Sequence, residues 1–275
     1  MDTNPPNEPL NLENLRERLL RLGLHGLLAN VETVINEPWL RQVLAIEEAE
    51  RSRRSFQRRL KAARLQKYNP MAGFEWTWPT QCDRPLVEEL FSLSFIEEPA
   101  NIVLIGPNGI GKTMIAKNLL HQAIMHGHTA RFTLASDMLH DLAAQDSSVS
   151  LARRLRRYTS PGILAIDEVG YLSYDSRYAD LFFEVITRRY QKNPVIITTN
   201  KPFSEWTKVF PNAACVVTLV DRLMHKAELL KLECGISRNG PTRFPLIGPT
   251  LDGLPAEPRF ESSTRPFSLR QVFEL

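Results

Sequence analysis

The chain has few cysteines and no long hydrophobic run. Three cysteines, Cys82, Cys215 and Cys234, are scattered over 275 residues, which excludes a disulfide scaffold and is typical of a reducing compartment. No apolar stretch approaches the roughly 18 residues of a membrane-spanning helix. Residues 1–10 contain neither a basic nor an apolar segment, so a secretory signal is not indicated. We therefore expect a cytoplasmic protein with no membrane contact.

Acidic residues are missing from one short segment. The formal net charge of +3 arises within residues 1–69, which contain 12 Lys and Arg against 9 Asp and Glu, whereas the rest of the chain contains 22 of each. Within residues 51–67 there are eight basic side chains and no acidic one. Such a run favours an anionic partner, and the phosphate backbone of DNA is the natural one, with a solvated helix face as the alternative. The residues predicted to contact DNA are Arg51, Arg53, Arg54, Arg58, Arg59 and Lys61.

Residues 1–69 are predicted to form a helical N-terminal domain. Leucines and valines recur at helical spacing from Leu12 to Val34, and Pro38 is placed to begin a further helix over residues 40–67. Its apolar stripe is thin and most of its remaining surface is arginine. Residues 70–80 then break the helical pattern with Pro70, Gly73 and Pro79, which predicts a linker that docks its aromatic side chains onto a neighbouring element.

Residues 81–234 alternate short apolar runs with helical stretches, which predicts a parallel sheet flanked by helices. The predicted strands are 102–105, 130–134, 163–166, 195–198 and 228–232. The predicted helices are 112–125, 136–144, 149–158, 178–191 and 213–225. Residues 235–275 are rich in proline and glycine without clear periodicity, which predicts a poorly ordered tail.

The first predicted strand is followed by a complete phosphate-binding loop of the form G-x-x-x-x-G-K-[ST]. It consists of Gly106, Pro107, Asn108, Gly109, Ile110, Gly111, Lys112 and Thr113. In such a loop, backbone N–H groups and the following helix N-terminus surround phosphate oxygens. We expect Lys112 to reach the β- and γ-phosphates and the Thr113 hydroxyl to bind Mg²⁺.

Two further strands end in polar residues that suit phosphate chemistry. The strand over 163–166 is followed by Asp167 and Glu168, and the strand over 195–198 leads to Asn200. With the loop upstream, Asp167 is predicted to hold Mg²⁺ and Glu168 to polarise an attacking water. Asn200 is predicted to face the γ-phosphate if its strand lies beside that of Asp167. Together these residues favour hydrolysis of a bound nucleotide over passive binding, whereas a kinase would direct the phosphoryl group to a second substrate.

Other arginines leave alternatives open. Arg222, near the end of a predicted helix, suits an arginine finger on a neighbouring subunit's nucleotide or a surface pair with Asp221. A second basic cluster, over residues 153–157, suits either DNA or subunit contact.

Five segments together resemble the IstB-like ATPases of IS21-type insertion sequences, which are AAA+ proteins related to the helicase loaders DnaC and DnaI. The segments are NIVLIGPNGIGKTMIAKNL, ILAIDEVGYL, ADLFFEVITRRY, ITTNKPFSEW and VDRLMHKAELLKLE. The resemblance covers about residues 10–235. It implies an α/β AAA+ P-loop NTPase core with a small helical N-terminal domain and no C-terminal lid.

The resemblance also implies roles and partners. Gly106 to Thr113 would be the Walker A motif, Asp167 and Glu168 the Walker B motif, Asn200 sensor 1, and Arg222 an arginine finger acting on the adjacent subunit's ATP. The family members are bacterial ATPases that oligomerise on double-stranded DNA and assist the transposase of the same element in selecting or remodelling target DNA. A replicative helicase loader, which would prefer single-stranded DNA, is the alternative.

Overall fold

A computed structural model describes residues 11–171, 173–211 and 213–233. The predicted tail over 235–275, and with it the expectation that no lid follows the core, lies outside the described residues. The chain divides into two compact units, residues 1–61 and 62–275. The predicted boundaries at 69 and 80 stay predictions.

The first unit is helical in its described part. Its elements are α1 (Leu12–Leu22), α2 (His25–Ala29), α3 (Val31–Val34) and most of α4 (Pro38–Ala63). Its helices bury a small apolar core formed by Leu15, Leu19, Leu22, Val31, Leu40 and Leu44. The helix predicted over 40–67 begins at Pro38 and ends earlier, because Arg64 and Gln66 both adopt φ of 56°, which a continuing helix does not allow.

The second unit is built on a parallel five-stranded sheet, which confirms the predicted fold class. The strands are β1 (Asn101–Ile105), β2 (Ala130–Leu134), β3 (Ile163–Val169), β4 (Val195–Thr199) and β5 (Ala227–Lys231). Their order across the sheet is β2-β3-β4-β1-β5. The four strands β1 to β4 are almost wholly buried, as expected of apolar strands covered on both faces.

Helices cover the two faces of this sheet. The helices around and between the strands are α5 (Arg84–Leu90), α6 (Ser94–Glu97), α7 (Lys112–Met125), α8 (Ala135–Ala143), α9 (Ser148–Thr159), α10 (Ser176–Arg189) and α11 (Ala213–Met224). Phe132 of β2 contacts Lys117 of α7, whereas its neighbour Arg131 contacts Tyr158 of α9. Because successive strand residues point to opposite faces, α7 and α9 lie on opposite sides. None of the described helices is long and apolar enough to cross a membrane.

Arg189 fastens the amino ends of β3 and β4. Its side chain is buried at the end of α10, and burial lowers its pKa to about 9, so that it stays charged at neutral pH. Its guanidinium donates hydrogen bonds to the backbone carbonyls of Tyr158, Thr159, Pro161, Gly162 and Pro194. These carbonyls belong to the last residues of α9 and to the turns that enter the two strands, so one side chain joins the segments from which both strands begin.

Candidate nucleotide-binding site

The carboxyl ends of three adjacent strands bring the predicted site residues to one edge of the sheet. The loop over 106–111 follows β1, Asp167 and Glu168 lie near the end of β3, and Asn200 follows β4. Since β4 lies between β3 and β1 and all three are parallel, these segments meet at the same edge. Ligands of open α/β sheets bind at such an edge.

Close contacts require glycine at two positions of the loop. A Cβ atom at Gly106 would lie 2.2 Å from the carbonyl oxygen of Leu232. Gly111 has φ of 98°, and a Cβ atom there would lie 2.4 Å from Cε2 of Phe74. The loop is thus fitted between the end of β5 and an aromatic ring, and α7 begins immediately after it at Lys112. Its N-terminal N–H groups are available for phosphate oxygens.

Lys112 is held inside the curve of the loop. Its side chain is buried, and Nζ donates hydrogen bonds of 2.6 Å to the carbonyl oxygens of Gly106 and Pro107. The ammonium therefore lies among the backbone groups that surround phosphate in a loop of this kind.

Thr113 and Asp167 form the oxygen-rich centre of the site. The Thr113 hydroxyl oxygen lies 3.0 Å from each carboxylate oxygen of Asp167, which is only 3% exposed. The Thr198 hydroxyl also donates to Asp167 and in turn accepts a 3.0 Å hydrogen bond from the backbone N–H of Glu168. A hydroxyl beside a carboxylate is the donor set that Mg²⁺ prefers, so the residues present fit this cation.

Glu168 has an unusual backbone conformation. Its φ is 61°, in the left-handed region that residues other than glycine seldom adopt. The pairing of β3 with β4 shifts register between Ile166 and Val169, so Asp167 and Glu168 form a bulge. Asp167 is buried while the Glu168 side chain is exposed. Strained residues of this type cluster at functional sites, and the bulge directs the two carboxylates to different surroundings.

Asn200 borders a cavity beside the loop. The cavity has a volume of about 470 Å³. Its lining consists of Ile105, Gly106, Pro107, Asn108, Asn200, Pro202, Lys231, Leu232 and Glu233. The strand that precedes Asn200 does lie beside that of Asp167, which was the condition for its predicted role.

Arg222 lies near the amino end of β1, opposite the end of the strand from which the phosphate loop follows. Nδ2 of Asn101, the first residue of β1, donates to the carbonyl oxygens of Arg222 and Leu223 at 3.4 and 2.9 Å. The guanidinium donates to the Thr187 hydroxyl and lies 4.6 Å from the ring centroid of Phe183. A strand of five residues spans about 15 Å, so the structure does not bring Arg222 to the phosphate loop of its own chain.

Comparison with known proteins assigns the family. A family model described as IstB-like ATP binding protein matches residues 14–239. The chain belongs to the IstB-like family. An ATP-binding protein of insertion sequence IS5376 from Geobacillus stearothermophilus is 34% identical over 205 residues, which is 74% of this chain and 82% of that protein. The corresponding protein of IS21 from Pseudomonas aeruginosa is 31% identical over 231 residues, covering 81% and 87%.

A solved structure shares the fold of this IstB-like chain. The crystal structure of DnaI matches with a TM-score of 0.51 at 13% identity, covering 61% of this chain and 92% of that one. At this identity the likeness concerns the fold alone.

Some basic residues of α4 in this IstB-like protein form ion pairs with acidic residues of the same helix. Arg53 and Arg54 both pair with Glu50, at 2.7 and 2.6 Å, and hydrogen bonds from these two arginines lower the pKa of Glu50 to about 2. Arg51 lies 4.0 Å from Glu47. The charges of Arg51, Arg53 and Arg54 are therefore partly compensated by acidic residues one helical turn upstream. Their contact with DNA stays a prediction.

The other basic residues of α4 differ from these three. No ion pair involves Arg58 or Lys61 within the ranges that the structure describes, and both side chains are exposed. Arg59 donates a 2.6 Å hydrogen bond to the Ser55 hydroxyl. Arg58 and Lys61 are thus the better candidates for an anionic partner.

The second basic cluster, on α9, also contains two arginines that pair with an acidic residue and two that are exposed. Arg154 and Arg157 lie 3.5 and 3.6 Å from Asp141, which also accepts a 2.7 Å hydrogen bond from the Tyr158 hydroxyl. Arg153 and Arg156 are exposed on the helix. The choice between DNA and subunit contact stays open for this outward pair.

Sequence reasoning missed several residues that support the site. The sequence places Thr198 only within a strand, although two threonines at the end of an apolar strand indicate hydroxyl groups near the site. The docking of an aromatic side chain from residues 70–80 is predicted, but not that the ring of Phe74 packs on Gly111 of the phosphate loop. Asn118 of α7 holds the same segment, since its side chain accepts from Met71 N–H at 3.0 Å and donates to the Asn69 carbonyl at 2.9 Å. No spacing rule identifies contacts of this kind.

Proposed function

We propose that this IstB-like protein is a Mg²⁺-dependent ATPase. The observation that carries the proposal is the placement of Thr113 and Asp167 within hydrogen-bond distance at the mouth of a complete phosphate loop. Relatives named for ATP binding, which are 31–34% identical, support ATP as the bound nucleotide. The reaction is attack of water on the γ-phosphorus, giving ADP and phosphate.

Each residue of the site has a role in this reaction. The loop N–H groups and Lys112 bind the phosphates, and Thr113 with Asp167 would hold Mg²⁺, which when bound neutralises phosphate charge. Glu168, exposed at the bulge, accepts a proton from the attacking water. Asn200 orients that water or the γ-phosphate. Thr198 keeps Asp167 and the Glu168 backbone in position.

A turnover assay tests the proposal. Purified protein should release phosphate from ATP in the presence of Mg²⁺ and lose this activity in EDTA. Lys112→Ala should abolish ATP binding, whereas Lys192→Ala, a change at an exposed lysine in the turn before β4, should leave it intact. Absence of ATP binding by the parent protein would overturn the proposal.

We further propose that the active site is completed by a second copy of the chain. Arg222 lies on the side of the sheet away from its own phosphate loop, which suits an arginine that acts on a neighbour's ATP. The resulting assembly is a homo-oligomer with composite sites.

We propose double-stranded DNA and a transposase as partners. The support is the exposed Arg58 and Lys61 on α4, together with relatives named for insertion sequences. Duplex binding that depends on ATP, and co-purification with the transposase of the same element, are the expected results. Preference for single strands together with binding to a replicative helicase would favour the loader function instead.

A further inference from the structure

The end of β5 is fixed against the start of the phosphate loop. Lys231 is paired in register with Ile105, the residue that precedes the loop. The backbone N–H of Leu232 donates a 2.8 Å hydrogen bond to the Ile105 carbonyl oxygen, and the Leu232 carbonyl oxygen lies against Gly106. The positions of β5 and the loop are therefore coupled through backbone contacts, which do not depend on flexible side chains.

Lys231 faces the cavity that Asn200 also borders. Since β1 lies between β4 and β5, Asn200 and Lys231 stand on either side of the loop, and residues 106–108 line the cavity between them. Among the described residues that line this cavity, Lys231 is the only cationic one. A bound polyphosphate places several negative charges at this loop, and a lysine ammonium is a suitable ligand for them.

The ammonium of Lys231 has an exchangeable partner. Nζ lies 2.7 Å from a carboxylate oxygen of Glu233, and the two side chains are 46% and 40% exposed. A pair of such exposure contributes little to folding stability. The backbone of Glu233 is anchored independently, by mutual N–H to carbonyl hydrogen bonds with Gln81 of 3.3 and 3.0 Å. The pair is therefore dispensable for the fold but well placed to hold the ammonium beside the loop.

We propose that Lys231 is a second phosphate-binding lysine of the nucleotide site, and that its ammonium leaves Glu233 for the nucleotide phosphates when ATP binds. The inference rests on the proposed ATPase function, because it concerns the same site. It adds a cation from β5, supplied by the same chain, to Lys112 of the loop and to the proposed arginine of the neighbouring chain. Glu233 then competes with the nucleotide phosphates for the ammonium. Removing Lys231 and removing the charge of Glu233 should therefore change ATP affinity in opposite directions.

Calorimetric titration of the full chain with Mg·ATP tests the inference, using a Glu168→Gln background to slow hydrolysis. Lys231→Met should weaken ATP binding about tenfold, as expected for loss of one charge-assisted hydrogen bond. Lys231→Arg should retain most of the affinity. Lys192→Met is the matched control and should bind as the background does. Loss of ADP affinity as well would indicate contact with the β-phosphate, and loss for ATP alone contact with the γ-phosphate; both outcomes support the proposal.

Glu233→Gln separates phosphate binding from a structural role of the ion pair. It should strengthen ATP binding, because the ammonium no longer gives up a carboxylate, whereas a structural pair predicts equal weakening by both changes. Unchanged ATP affinity in Lys231→Met, or equal weakening by Lys231→Met and Glu233→Gln, would overturn the inference while leaving ATPase activity of the parent protein unaffected. No ATP binding by the background protein would instead refute the proposed function itself.

Discussion

The hydroxyl oxygen of Thr113 lies 3.0 Å from each carboxylate oxygen of Asp167, although 53 residues separate the two in the chain. Thr113 lies in the first turn of α7 and Asp167 lies in β3, so the contact forms only when the sheet is assembled. It joins the phosphate loop to the acidic strand end. The proposed chemistry depends on this junction, which the Thr198 hydroxyl supports through its hydrogen bond to Asp167.

Thr198→Val should impair catalysis more than ATP binding. The change removes a hydroxyl that donates to buried Asp167 and accepts from the Glu168 N–H, while keeping side-chain shape. Because both partners lose a hydrogen bond, the free energy of unfolding should fall by about 1–3 kcal/mol. Turnover should fall at least about tenfold, with a much smaller change in ATP affinity.

Thr133→Val is the control for this substitution. Thr133 is also buried in a strand, but its hydroxyl bonds to the Leu134 carbonyl rather than to the site. Normal turnover in Thr198→Val would show that the Thr198 hydroxyl does not position the two acidic residues.

Arg222→Ala and Lys112→Ala should complement each other. If Arg222 acts on a neighbour, each variant alone lacks turnover in the assembled state. A mixture should regain activity, because some interfaces combine an intact phosphate loop with an intact arginine. Arg188→Ala, which removes an exposed arginine paired with Glu184, serves as the control. No recovery in mixed assemblies whose subunits are shown to exchange would contradict the composite site.

Substitutions on α4 should separate paired from unpaired arginine. Arg58→Gln with Lys61→Gln should weaken duplex DNA binding about tenfold and reduce the slope of log affinity against log salt by about 2, since two phosphate contacts are lost. Arg53→Gln with Arg54→Gln should cost at most about threefold, because Glu50 already engages both guanidiniums. If both double variants bind duplex DNA with the affinity and salt slope of the parent protein, the DNA contact lies elsewhere. Arg153 and Arg156 of α9 would then be tested next.

Arg189→Lys should destabilise the fold without altering the nucleotide site. A lysine ammonium cannot reach all five carbonyls that the guanidinium bonds, so buried acceptors are left unpaired at a cost of about 3 kcal/mol. Urea unfolding measures the change, with exposed Arg188→Lys as control. ATP affinity of the folded protein should stay the same, because Arg189 lies at the amino ends of β3 and β4. An unchanged urea midpoint would contradict this role.

The strands and the loop residues could be predicted from the sequence because their signals are local. The apolar runs of β1 to β4 stand between helical patterns, and the loop from Gly106 to Thr113 is a contiguous motif. The predicted strand over 130–134 matches β2, and the helix over 112–125 matches α7. The other predicted core elements differ from the structure by a few residues at their ends, whereas α5 and α6 have no predicted counterpart.

Features that depend on strand order or on backbone strain could not be predicted in this way. The placement of Asn200 beside the loop requires β4 to lie next to β1, which no local pattern states. The left-handed conformation of Glu168 arises at a β-bulge, and the amino-acid sequence of this strand contains no signal of a bulge. The partial compensation of charge on α4 was not predicted, because Glu47 and Glu50 precede the basic segment over 51–67 by one helical turn.

Measuring both hydrolysis and binding of ATP in Glu168→Gln tests whether Glu168 accepts the proton of the attacking water. This variant should bind Mg·ATP about as tightly as the parent protein but turn it over at least about a hundredfold more slowly, because the amide cannot accept a proton from water. Parent-like turnover by a folded, ATP-binding Glu168→Gln protein would contradict the account.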